Sequence, residues 1–407
     1  MHEEKAKTRM ETFESILQNQ PTKSSWIEHF YSFAIILISF FLIVPFSCLP
    51  AHDLITHPEM WYEILFHGTY FAIINNLFWT CLAGSLMNLS HFYQVRSLVI
   101  TSTVGVITII LFTISTYYFW THVLFYQYPI PFSGQVTVSI VLLSLFPTLW
   151  RLMPYDLRKN LSIWRRFKFF FCYVITNIIF VSVYQFLLVL IATFQGPYQP
   201  LIGFIVIVTR ELYIWILTKI VKNCPNGDEA GALIVLCYAC TTYHSIIMCY
   251  MIGSATTDFT AWVLMGFDFL INIYTCLRIV WMKHKSPMNL DDQRNLLQDL
   301  AMAELVEFHA PVAFILITLL AYFTPIGEII GNISNGYWHN NAIEDIAEAL
   351  WKMGFFVLAD LTSLLASATI LWFSCKINLW SAFIVIQKEF FHIFSLILGY
   401  MLLAVSE

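Results

Sequence analysis

Eleven stretches of this chain stay apolar for about twenty residues, and that recurring length constrains the fold more than any other feature. They lie at 26–49, 66–91, 98–120, 132–150, 168–193, 201–220, 231–252, 259–282, 302–325, 351–374 and 380–404. About twenty apolar residues in a helix cross the hydrocarbon core of a bilayer, where every backbone amide must find its partner within its own segment. The pattern predicts an all-α, polytopic transmembrane helical bundle of about eleven spans. Ten is the alternative, with the final stretch lying along the membrane surface. Composition agrees: charged residues are 12% and hydrophobic residues 58%, whereas soluble domains carry about a quarter charged residues. The chain reads as one transmembrane domain over 26–404, preceded by a polar tail at 1–25, and its first partner is the lipid bilayer.

Lys and Arg near span ends concentrate on the cytoplasmic side of membrane proteins, so their distribution orients the chain. Of the 21 basic residues, 18 fall in the tail or in alternate loops: Arg96, the group from Arg151 to Lys168, Lys219 and Lys222, the group from Arg278 to Arg294, and Lys376. The opposite loops, near 50–65, 121–131, 194–200, 253–258 and 326–350, contain none. A cytoplasmic amino terminus follows. Lys352 is the one basic residue at an outer helix end, while Arg210 and Lys388 fall inside spans. Three Asn-x-Ser sequons occur, and only Asn332 lies in an outer loop, which makes it the candidate glycosylation site. Between the basic loops, 288–301 has leucines at roughly helical spacing, which predicts a short amphipathic helix at the cytoplasmic surface running into the ninth span.

Charges inside hydrocarbon carry a penalty of about 2.5–3.5 kcal/mol on insertion scales and normally face the bundle interior. Arg210, Asp268 and Asp360 each lie nine residues from the outer start of their spans (Leu201, Phe259 and Trp351). At about 1.5 Å per residue that is roughly 13–14 Å deep. Lys388 and Glu389 enter from the inner side and reach the same level, and Glu211 sits beside Arg210. Arg210, Glu211, Asp268, Asp360, Lys388 and Glu389 are therefore the candidate ion- or substrate-binding residues. Two cations face four acids, and a surplus buried carboxylate must find a partner, stay wet or take up a proton. Secondary candidates are Glu304, Glu307 and His309 at the start of the ninth span, His244 in the seventh, and Asn75 and Asn76 in the second.

Other chemistry lacks support. The nine cysteines lie mostly in spans or on the cytoplasmic side and read as small packing residues, Cys237 and Cys240 included. No Walker A loop, Gly-x-Ser-x-Gly elbow or HExxH motif is present. No cofactor, catalytic residue, resident metal or nucleic-acid partner is expected. The charge layer points to a transporter or channel for a cation, a proton or a small solute. A receptor or an accessory subunit with structural charge pairs is the alternative, with an intramembrane enzyme third. Homo- or hetero-oligomerisation is compatible with all three, as are plasma membrane and endomembranes.

Overall fold

A computed structural model describes residues 30–47, 63–87, 89–118, 133–193, 198–222, 229–253, 258–285, 290–322 and 342–406, together with Glu11. Asn332 lies outside these residues, as does most of the tail. The described residues form eleven long helices: α1 (Tyr31–Ser47), α2 (Glu63–Met87), α3 (Val95–Tyr118), α4 (Ser133–Leu152), α5 (Leu161–Thr193), α6 (Gln199–Lys222), α7 (Glu229–Gly253), α8 (Asp258–Lys285), α9 (Leu290–Tyr322), α10 (Ala342–Cys375) and α11 (Leu379–Ser406). No strand occurs among them. Eight are long and apolar enough to cross a membrane, and Tyr31–Pro45 and Ser139–Leu152 are shorter apolar helices. The protein is a multi-pass helical membrane bundle.

Local chemistry explains why these helices persist in an apolar setting. Hydroxyls on exposed faces bond back to their own helix: Thr103 to the Val99 carbonyl at 2.8 Å, Thr209 to Ile205 at 2.8 Å and Thr362 to Leu358 at 2.8 Å. Each such bond hides a polar group without an external partner. At the basic ends, cations cap helix carbonyls that have no intrahelical donor. Arg158 Nε donates to the Met153 carbonyl at 2.7 Å, Arg166 Nη1 to Met87 at 3.1 Å, and Lys283 Nζ to Cys375 at 2.8 Å. The turn from α10 to α11 is tight. Lys376 adopts φ 59°, its amide bonds the Trp372 carbonyl and the Ile377 amide bonds that of Leu371, and the left-handed residue with its 5→1 bond is the αL motif that ends a helix.

Helix α7 sits at the centre, contacting α5, α6, α8, α9, α10 and α11, and it is the most deeply buried span. Around it, α6, α8, α9 and α10 form one side of the bundle, while α1, α2 and α11 gather on another. Helix α11 packs against α1, α7 and α9, inside the bundle. Helix α9 is continuous from Leu290, with Leu297 and Leu300 buried against the core. The leucine stripe at 288–301, expected at the membrane surface, thus turns inward over its described part. Close approaches use glycine where two helices touch: a Cβ at Gly105 on α3 would lie 1.7 Å from Asn76 Nδ2 on α2, and one at Gly203 on α6 would lie 2.0 Å from Leu264 on α8.

Candidate functional site

Four helices each contribute one buried stripe to a single charged cluster. On α6, Val206, Arg210, Tyr213 and Leu217 are buried at helical spacing, while Val208, Leu212 and Trp215 face outward. On α8 the inward stripe is Ala261, Met265, Asp268, Asn272 and Cys276. On α9 it includes Leu300, Glu304 and Glu307, and on α10 Phe356, Asp360, Ser363 and Ser367. Periodicity near 3.6 residues places each stripe on one face, and the four faces meet.

Arg210 is the hub. Its Nη1 lies 3.6 Å from Asp268 Oδ1 and 3.9 Å from Glu307 Oε1. Its Nη2 lies 3.1 Å from Glu211 Oε1, to which Nε donates at 3.2 Å. Consecutive helical residues point about 100° apart, so Glu211 belongs to the exposed stripe of α6, with its side chain 57% exposed. It reaches back to the guanidinium from outside. Asp268, Glu307 and Asp360 each offer a carboxylate oxygen, and these oxygens lie within 4.8 Å of one another. Glu307 accepts a hydrogen bond from Asn272 Nδ2. That amide also reaches Ser363 Oγ at 3.4 Å, and Ser363 donates to Glu304 Oε1 at 3.4 Å.

The cluster is short of donors. Asp268 Oδ1, Glu304 Oε2, Glu307 Oε1 and Asp360 Oδ2 are buried without a hydrogen-bond partner among the described residues. Asp268 and Glu307 share one guanidinium, which also serves Glu211, and neither Asp360 nor Glu304 forms an ion pair with it among the described residues. Unpartnered charge in a low-dielectric interior is strongly unfavourable. Such a cluster demands protons, a cation or water to complete it. Its ligand set is all oxygen, which suits hard cations such as Ca²⁺ or Mg²⁺ better than thiophilic metals.

The structure groups the expected residues differently from the depth estimate. Arg210, Glu211, Asp268 and Asp360 come together. Lys388 and Glu389 lie on α11, which shares no extended contact with α6 or α8, and Lys388 is exposed. Neither is among the groups that meet at Arg210. Glu304 and Glu307 join the cluster because α9 begins twelve residues before the expected span start at 302, which moves them from an inner helix end into mid-bundle. The unbroken leucine spacing upstream of 302 was the signal for this.

The other secondary candidates go elsewhere. His309 faces α7, where its Nδ1 shares a 3.0 Å hydrogen bond with Tyr238 Oη, so it and Glu304 address different neighbours. Asn76 donates to the Thr101 carbonyl at 2.8 Å across the α2–α3 contact. Asn75 and His244 are buried, and their side-chain polar atoms lack partners among the described residues. The His244 ring centroid lies 6.2 Å from that of Tyr184. Asn272 and Ser363, absent from the sequence-derived candidates, are the neutral groups that link the acids. Comparison with protein-family models, with curated proteins and with solved structures returns no match for this chain.

Proposed function

We propose that this protein is a membrane transporter or channel whose buried cluster of Asp268, Glu307 and Asp360 binds a cation or proton on its way across the bilayer. One observation supports the reading above others: three carboxylates converge within 4.8 Å, and the guanidinium beside two of them is already engaged by Glu211. Intramembrane ionisable residues that exceed their partners mark ion and proton pathways in membrane proteins. In this reading Asp360 is the binding carboxylate least committed to Arg210, Asp268 and Glu307 complete the oxygen set, and Asn272 and Ser363 orient it. Arg210 is the tethered counter-ion that holds the site together when no cation is bound. Binding a cation or proton weakens its hold on Asp268 and Glu307, which couples occupancy to the α6–α8–α9 contact.

The test is reconstitution of the full chain into liposomes carrying ion- and pH-sensitive dyes. Asp360→Asn and Asp268→Asn are each expected to lower flux about tenfold or more by removing a binding carboxylate. Unchanged flux in both variants overturns the site assignment. Absence of flux for protons and for the common mono- and divalent cations favours a receptor or accessory subunit, in which the Arg210–Asp268 pair fixes helix register.

A further inference from the structure

Six of the 21 basic residues fall between Arg151 and Lys168, with Asp156 the one acid among them. A bias toward one side of the membrane accounts for the level at which Lys and Arg stand, not for their gathering at one turn. The turn joins α4 to α5 through a single helical turn, Tyr155–Arg158. Arg158 fixes its shape, since besides the Met153 carbonyl it reaches that of Arg151 through Nη2 at 2.9 Å. The Asn160 side chain accepts from the Ser162 amide at 2.9 Å and caps the start of α5. Beside the turn, the Trp150 ring centroid lies 4.9 Å from that of Trp164 and 5.2 Å from that of Phe167. Arg151, Lys159, Arg165 and Lys168 are exposed on this framework. None of the four forms an ion pair among the described residues. Tyr155, Leu161 and Trp164 expose apolar surface between them.

Both lysines stand four residues after an aromatic ring and over its face. Lys159 Nζ lies 4.3 Å from the Tyr155 centroid, and Lys168 Nζ lies 5.3 Å from that of Trp164. Residues four apart are neighbours on a helix surface. The same spacing recurs singly in α6, in α8 and at the end of α10, where Lys219, Lys285 and Lys376 lie over Trp215, Trp281 and Trp372. All five lysines are on the side that the charge pattern assigns to the cytoplasm. Exposed Trp and Tyr mark the headgroup level of a bilayer, so each pair holds an ammonium at the depth of the lipid phosphates. An ammonium has three donors, and a ring face leaves some of them for an oxygen anion. The α4–α5 turn adds two exposed arginines to its two pairs. At the α8 end, by contrast, Arg278 is offset by the carboxylate of Asp299.

We propose that the α4–α5 turn is a docking surface for the headgroup of an anionic phospholipid in the cytoplasmic leaflet. Its phosphate and second acidic group lie against Lys159, Arg165 and Lys168, with Arg151 alongside. Charge selects an anion. The exposed Tyr155, Leu161 and Trp164 select one that carries acyl chains over an acidic segment of a soluble protein. Anionic lipids are concentrated in that leaflet and attract basic segments at the membrane surface. The surface is independent of whether the carboxylate cluster moves a cation.

The test uses the full chain, purified in mild detergent and titrated with phosphatidylserine or phosphatidylcholine, with bound lipid counted by native mass spectrometry. Phosphatidylserine is expected to be retained about tenfold more strongly, since each Lys or Arg near an anionic headgroup strengthens binding several-fold. The triple variant Lys159→Gln, Arg165→Gln, Lys168→Gln should bring the two lipids within about twofold of each other. Lys159→Arg with Lys168→Arg should keep the preference. The control is Arg278→Gln, Lys285→Gln, Lys376→Gln, which removes the same formal charge and two of the other ring pairs. It should leave most of the preference in place. A preference that survives the first triple variant, or falls equally in both while they stay monodisperse, overturns the assignment to this turn. Equal retention of the two lipids by the parent chain also overturns it, and gives the patch to an acidic protein partner. Excess glycerophosphoserine, which lacks acyl chains, should not displace phosphatidylserine. If it does, the ligand is a soluble anion and the lipid assignment is overturned.

Discussion

Two of the polar regions buried between the described helices are built on opposite balances of donors and acceptors. Where α1 meets α11, Ser39 Oγ shares its one proton between the Ser395 carbonyl at 2.9 Å and the Ile35 carbonyl one turn back in α1 at 2.7 Å. Gln387 donates to Ser32, and Gly399 lets the helices approach against Leu42. All the groups are neutral, and the serine contacts are satisfied within the pair of helices. At the Arg210 cluster the groups are charged and acceptors outnumber donors, leaving four buried carboxylate oxygens without hydrogen bonds. Small residues and neutral hydrogen bonds are how membrane helices associate. A surplus of buried carboxylates opposes association unless something else enters the site. The first region holds the bundle together, and the second carries an unmet demand for positive charge.

Substitutions can break or sharpen that contrast. The largest effect is expected from Arg210→Ala, which strands Asp268 and Glu307 as uncompensated charges. Loss of a buried partner costs about 3–5 kcal/mol, read as a large drop in thermal midpoint of the detergent-solubilised protein. The double variant with Asp268→Asn should recover a substantial part of it. If Arg210→Ala melts like the parent, the cluster is neutralised by protons or water and the guanidinium is not its hub. Next comes Gly399→Ala, whose Cβ would stand 2.9 Å from Leu42 Cδ1. A displaced side chain in a packed seam predicts about 1 kcal/mol of destabilisation, with flux untouched. Ser39→Ala removes one interhelical hydrogen bond, worth about 0.6 kcal/mol in membrane proteins, again without a change in flux. The smallest effect on stability is expected at Asp360→Asn, within about 0.5 kcal/mol of the parent, because an acid with no paired cation contributes little to holding the fold. A loss above 2 kcal/mol there would make Asp360 a structural anchor and erase the distinction between the two regions.

Much of the bundle was legible from residues alone. Each of the eleven apolar stretches coincides with a helix in the described residues, because segment length and hydropathy are local properties that a bilayer reads directly. The charge layer was legible in part. Arg210, Asp268 and Asp360 were found from equal depth on three spans entering from the same side, and depth along a helix follows from counting residues. Lys388 and Glu389 share that depth but not that side of the bundle, since depth carries no information about which helices are neighbours. A ninth span that starts at 302 puts Glu304 and Glu307 near the inner surface, whereas α9 runs unbroken from Leu290 and carries them to mid-helix. Asn272 and Ser363 gave no signal, since single amides and hydroxyls are common in apolar helices.

Fold class, the places of the long helices and the presence of charges within them follow from composition and spacing, which act one segment at a time. Lateral arrangement is different in kind. That α7 is central, that α6, α8, α9 and α10 turn their polar stripes toward one another, and that Asp268 and Glu307 share a single guanidinium all depend on contacts between segments far apart in sequence. In hydrocarbon every apolar face is equally compatible with lipid, so hydropathy does not select partners. Shape, small residues and the need to bring buried charges together make that choice, and those are properties of the assembled helices.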